Sequence, residues 1–321
     1  MQNDYQAIIE QIKKKIDIEK LKELLFKTSV IAWDYKMPEK TVDKWLENFD
    51  GSVIGDVEAE KKIALWILLH FVFYTDSDVR HLCKTIYDEY IHHKLIEYKE
   101  NNTLKHLSVT EKIMHILHDT LFVALGNDSE SGANILYFFR QENKLSKESF
   151  EIDSEKEFEN LVFIDDVTIS GDQASKYIKS YNIKRKNTYL LTFIATTDAI
   201  SYFTKTGNDI KLINSIFLDE RAKCFSDMSY VFSESNTRQF ISIAKQMSQA
   251  YGTLIMKGHA YMEKHPLGFS DGQYLFGFYY NTPDNSLPII WCDINNWKPA
   301  FKRYNKMYSQ LEVNINESIY V

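Results

Sequence analysis

Between Leu161 and Tyr181 the chain reads LVFIDDVTISGDQASKYIKSY, and its character changes twice within that stretch. Residues 161–164 are four consecutive apolar side chains, too few for a helix and apolar at both parities. Such a run fits a strand buried on both faces. Two acids follow, Asp165 and Asp166, then a tight loop through Thr168, Ile169, Ser170 and Gly171, then helical spacing from Asp172 to Tyr181. A strand covered on both sides belongs to a mostly parallel sheet flanked by helices, and ligands of such sheets lie outside the carboxyl ends of the strands.

Other short apolar runs supply neighbours for that strand. Residues 135–139, 189–195 and 212–218 have strand length, with helical patterns between several of them. Residues 273–280 and 287–292 read as a C-terminal β hairpin around Asn281-Thr282-Pro283-Asp284-Asn285. Before residue 127 the pattern is helical throughout. Pro38 suits a first helical turn, 58–73 keeps a broad apolar face, and Asp76 or Ser77 can cap the helix that follows. Ser108 and Glu111 form a capping box opening a helix that runs to Gly126. A turn-rich hinge at 127–132 divides a helical region, 1–126, from an α/β core with its β hairpin, 127–321.

Composition narrows the function classes. A net charge of -7 argues against a surface built to cover nucleic acid, although Lys13–Lys15 and Lys184–Lys186 include short basic runs. Three separated cysteines, Cys83, Cys224 and Cys292, fit neither a zinc knuckle nor a disulfide framework. The N-terminus lacks an apolar signal-peptide core, and the apolar run 63–74 is too short to cross a bilayer, so a cytoplasmic protein without membrane contact is expected. Twenty Phe and twenty Tyr promise a well-filled core.

The chemistry concentrates at the loop. A loop that leads into a helix N-terminus presents unpaired backbone N–H groups to an anion, and Thr168 and Ser170 add hydroxyl donors. Gly171 lets the backbone approach a phosphate closely. Asp165 and Asp166 can accept hydrogen bonds from sugar hydroxyls or hold a hydrated Mg²⁺. Four apolar residues, two acids, two variable positions, a hydroxyl, Gly and a helix resemble the phosphoribosyl pyrophosphate motif of type I phosphoribosyltransferases. By that resemblance Asp165 and Asp166 are the catalytic pair that holds the ribose hydroxyls. Thr168, Ile169, Ser170, Gly171, Asp172 and Gln173 would wrap the 5′-phosphate, and Mg²⁺ would enter with the pyrophosphate, with no organic cofactor. Arg140, Ser131 and Gly132 are weaker candidates for a pyrophosphate contact. The segments NTPDNSLPIIW, from Asn281, and DKWLENFD, around Trp45, resemble the PRTase-CE family. That likeness implies a role in bacterial conflict and anti-phage systems, including retrons, with a protein or ribonucleoprotein partner such as a reverse transcriptase complex.

Departures from the motif keep two functions open. Ile169 stands where a hydroxyl is usual, Gln173 replaces the final Thr or Ser, and Asp172 brings a negative charge to the helix start. A carboxylate ~6 Å from a phosphate costs roughly 3 kcal/mol per charge pair at an effective dielectric of ~20, so Asp172 must point away or be neutralised. The chain is therefore either a phosphoribosyltransferase, or a related N-glycosyl-transfer enzyme, or an inactive module that senses a ribose phosphate or nucleotide or binds a partner. No GxxxxGK with a following Ser or Thr accompanies the acids, which disfavours an ATPase. His115, His118 and Asp119 share a helix, but no third ligand cluster marks a metal site.

Overall fold

A computed structural model of the chain describes residues 2–100, 104–126, 131–152, 158–205, 209–234 and 237–303. It is mixed α/β, with parallel sheets flanked by helices and with helices preceding the main sheet, as the sequence implies. Two compact units are present: Met1–Asp76 with Glu220–Val321, and Ser77–Asp219. A boundary at 126/127 therefore falls inside the second unit. The first unit is discontinuous because the first quarter and the last third of the chain share one core.

In that first unit lie α1 (Gln2–Lys15), α2 (Ile18–Ala32), α3 (Glu39–Leu46), α4 (Val57–Leu69) and β1 (Val72–Tyr74). Leu25, Trp45, Phe49 and Ile63 are buried together with Ile243, Met247, Ile289 and Phe301 from the C-terminal part. The Trp45 indole donates to the Ile289 carbonyl at 2.7 Å, a bond that joins the two segments directly. Glu60 is fully buried, and its carboxylate accepts from the backbone N–H groups of Gly51, Val53 and Ile54 at 2.8–3.0 Å.

The second unit carries α5 (Asp76–Glu100), α6 (Val109–His118), β2 (Thr120–Ala124), α7 (Ser131–Glu142), β3 (Phe158–Thr168), α8 (Asp172–Ser180), β4 (Arg185–Thr196), α9 (Thr197–Lys205) and β5 (Ile210–Leu218). The strands form one parallel sheet in the order β2-β3-β4-β5. Alternation divides its side chains between two faces. Leu121, Leu161, Phe163 and Leu190 pack with Ala174 and Ile178 of α8 and Phe203 of α9. On the opposite face Tyr90 of α5 meets the rings of Phe122 and Tyr189, at 5.9 and 5.3 Å, and Phe139 of α7 meets Phe122 at 5.2 Å. Burial on both sides is why 161–164 and 189–195 are continuous apolar runs.

Several elements differ from their sequence reading. Residues 135–139 are helical, within α7; the buried positions Gly132, Ile135 and Phe139 are spaced by three and four and so share a helix face. The capping box at Ser108 is present, but its helix stops at His118 and the rest of the run becomes β2. Thr120–Ala124 is strand because it lies beside β3, in register Thr120↔Asn160, a pairing no local pattern announces. Likewise 58–73 splits into α4 and β1. The expected C-terminal hairpin is absent from the described residues. Instead β6 (Phe276–Phe278) pairs in parallel with β1, and residues 288–291 form the short helix α11 (Pro288–Trp291), started by Pro288. After β5 the chain reaches these through α10 (Ile241–Met256). The hinge residues 127–130 lie outside the described residues.

Candidate functional site

The acid pair sits where the sheet edge makes a step. β2 ends at Ala124, opposite Ile164, whereas β3 continues to Thr168 beside β4, with Thr168 opposite Ala195. Among the described residues no strand flanks 165–168 on the β2 side. Leu125 prolongs the ladder by one bond, its N–H donating to the Ile164 carbonyl at 2.9 Å. From there β3 carries Asp165 and Asp166 upward, both half-buried.

Strand alternation places the two carboxylates on opposite sides of the sheet. Asp165 shares parity with Leu161 and Phe163, on the face that α8 covers; Asp166 and Thr168 share parity with Val162 and Ile164, on the face of α5. An Asp165 oxygen accepts the Asp166 N–H at 2.9 Å, which ties that side chain to the strand. Thr168 is 3% exposed, and its hydroxyl is buried without a hydrogen-bond partner. A buried hydroxyl left unpaired costs roughly 1–3 kcal/mol.

Past Thr168 the loop turns through exposed Ser170 to Gly171, whose φ of 77° is left-handed and whose residue type supplies no capping side chain. A Cβ at that position would lie 2.9 Å from ring atoms of both Tyr202 and Phe203 of α9, so only glycine fits beside them. The first N–H groups of α8 thus start from a residue that cannot cap them. Asp172 turns along the helix, its Oδ2 2.6 Å from the Lys176 ammonium, and this bond raises the Lys176 pKa. The charge conflict anticipated at Asp172 is met by pairing within the helix. Gln173 is exposed in the first turn.

The structure brings Gly132 to the same edge. A Cβ there would lie 2.6 Å from the Leu125 carbonyl, so the start of α7 abuts the chain as it leaves β2. Ser131 opens that helix, and only its backbone is described. Arg140 is not at a strand end. It lies in the last turn of α7, about 13 Å along the helix from Ser131 at 1.5 Å per residue. Its Nε donates to the Leu145 carbonyl at 3.4 Å, and its guanidinium stands 6.0 Å from the Phe150 ring centre, which places it away from the start of α7. Both His115 and His118 approach Asp119, at 3.6 and 2.8 Å, and the described residues hold no group of three side chains suited to a metal.

Sequence reasoning missed Thr196 and Tyr202. The Thr196 hydroxyl, at the end of β4, reaches the Ile169 carbonyl, and Tyr202 packs on Gly171. The Thr-Thr-Asp before an apolar spacing at 196–203 is a helix-start signal, but nothing local connects it to a loop more than twenty residues earlier.

An interior parallel strand ending in acids, a left-handed glycine and a helix start without a side-chain cap together define an α/β protein built on a parallel sheet. The PRTase-CE family model matches residues 42–303, and the chain belongs to the PRTase-CE family. Membership places it among proteins of phosphoribosyltransferase type. No curated protein matches the chain. No helix among the described residues is long and apolar enough to cross a membrane.

Proposed function

We propose that this edge binds a phosphorylated ribose, as phosphoribosyl pyrophosphate or a nucleotide. The observation that carries the reading is the unbroken order Asp165-Asp166, the buried unpaired Thr168 hydroxyl, left-handed Gly171 and the uncapped start of α8. The α8 amides, with Thr168, Ile169, Ser170, Gly171, Asp172 and Gln173, surround the 5′-phosphate. Asp165 and Asp166 approach the ribose hydroxyls from the two sides of the sheet plane, and the Ser131-Gly132 helix start faces the pyrophosphate. Mg²⁺ suits the hard oxygen donors here. The opposed carboxylates form no two-acid cage, so the ion would be held by one of them and by ligand oxygens. When bound, it neutralises charge on the pyrophosphate leaving group.

For an enzyme of this class, catalysis consists of positioning. The anchored phosphate and the held hydroxyls keep the anomeric carbon in line with an incoming acceptor, and the carboxylates stabilise positive charge developing on the ring. The family likeness supports reading the chain as a cytoplasmic anti-phage defence effector with a protein or ribonucleoprotein partner, such as a retron reverse transcriptase complex. A second reading, ribose-phosphate sensing without turnover, is favoured by Ile169, whose own side chain offers no donor where a hydroxyl is usual.

Calorimetry with ribose 5-phosphate and with phosphoribosyl pyrophosphate, with and without Mg²⁺, tests the site. Saturable binding is expected, weakened about tenfold or more in Asp166→Asn by loss of a charged hydrogen bond worth ~1.5 kcal/mol or more. Absence of binding by every ribose phosphate would sink the reading. Binding without pyrophosphate release in the presence of nucleobases selects the sensor over the transferase.

A further inference from the structure

We infer that Thr196 is a positioning residue of the phosphate loop, because it decides which way the Ile169–Ser170 peptide faces. The inference rests on the reading that the loop binds an anion. Thr196 is 3% exposed, at the carboxyl end of β4. Its hydroxyl donates to the Ile169 carbonyl at 2.5 Å and accepts the Ala199 N–H at 3.3 Å. One side chain thereby caps the first turn of α9 and holds the loop.

A carbonyl oxygen carries partial negative charge and repels a phosphate, so an anion loop works only if its carbonyls are turned outward and satisfied elsewhere. In a planar trans peptide the C=O of one residue and the N–H of the next point in opposite directions. The Ile169–Ser170 bond is trans. With the Ile169 carbonyl anchored on β4, the Ser170 N–H faces away from β4. Ile169 has no hydroxyl to give, so this amide is the donor that the Ile169–Ser170 link contributes to an anion. The β4–α9 junction touches the loop a second time, where Tyr202 and Phe203 close on Gly171. Loop orientation is therefore set by the next strand–helix junction as well as by the loop's own residues.

The test uses the full chain labelled with ¹⁵N-serine, titrated with ribose 5-phosphate and, separately, with inorganic phosphate. The Ser170 signal is identified by its disappearance in Ser170→Ala. On binding, that amide should shift saturably with ligand. Thr196→Val, which keeps the shape and removes the donor, should weaken both ligands about tenfold, the worth of one well-placed hydrogen bond. Thr196→Ser should stay within twofold of the natural protein, where a residue acting only through packing would lose affinity with its methyl group. Undiminished binding by Thr196→Val overturns the inference, and so does a Thr196→Ser as weak as Thr196→Val. A Ser170 amide that stays still while ribose 5-phosphate binds also overturns it, even if Thr196→Val fails to fold. Absence of binding by the natural protein overturns the site itself, and with it the inference.

Discussion

At Gly171 the backbone φ is 77°, a region that a residue bearing a Cβ enters at a cost of about 1–2 kcal/mol, and the space for a Cβ is taken by Tyr202 and Phe203. The two penalties act on the same few atoms that precede the α8 amides. Gly171→Ala is expected to lose about 1–3 kcal/mol of stability in urea denaturation and to bind ribose 5-phosphate more weakly than that loss explains. An alanine variant of natural stability would show that the loop accepts a Cβ. Much of this was legible beforehand, since a glycine between a hydroxyl-rich turn and a helix has few other reasons to be there. The orientation of Asp172 was legible only as a requirement. That Lys176 meets it follows from helical spacing, which sets residues four apart side by side. Thr196 was illegible, because its hydrogen bond to Ile169 spans 27 positions and exists only once β3 and β4 lie in register.

Between elements, α5 is held to the sheet by charge as well as by rings. Glu97 accepts from Lys94 at 2.7 Å and from Lys211 of β5 at 2.5 Å, and the Tyr189 hydroxyl of β4 lies 3.1 Å from the same carboxylate. Burial raises the Glu97 pKa, but the bonds from Lys211 and Lys94 outweigh it and bring the value down to about 2. A carboxylate whose folded pKa lies below its unfolded value of ~4.3 contributes stability in full above that value. That contribution drains away as pH falls through about 2. The melting temperature should therefore drop between pH ~4.3 and ~2, and Glu97→Gln, lacking the titrating group, should show a shallower drop over that window. Equal slopes in the two proteins would remove Glu97 from the account. Elements buried on both faces by long apolar runs, β3 and β4, were read correctly from pattern, and so was the edge strand β5. Two that failed, 135–139 and 287–292, are short apolar runs in which strand and helix look alike until a neighbour selects one.

At the scale of the whole chain, the first unit needs both ends of the sequence. Trp45, Phe49 and Phe71 pack with Tyr251, Trp297 and Phe301, with ring centres 4.5–5.4 Å apart in the pairs Trp45–Phe49, Phe49–Tyr251, Phe49–Trp297 and Phe71–Phe301. Deleting residues 1–76 would strip that core and expose Ile243, Met247, Ile289 and Phe301 to water, each buried side chain being worth ~1.5–3 kcal/mol. The truncated chain should aggregate, or be digested at residues 220–303 far faster than the full chain under limited proteolysis. Equal protection of that segment would mean it folds without its N-terminal partner.

The amino-acid sequence alone determined the interior strand, the acids at its carboxyl end, the glycine loop and the helix after it, because each depends on residues within a few positions of one another. Tertiary structure decided the rest: the step where β2 ends and β3 runs on to the acids, their placement on opposite faces, the hold of Thr196 on the loop, and a first unit closed by the two ends of the chain. These depend on which distant segments lie side by side, and that is settled by burial and register over the whole fold, which no local pattern encodes.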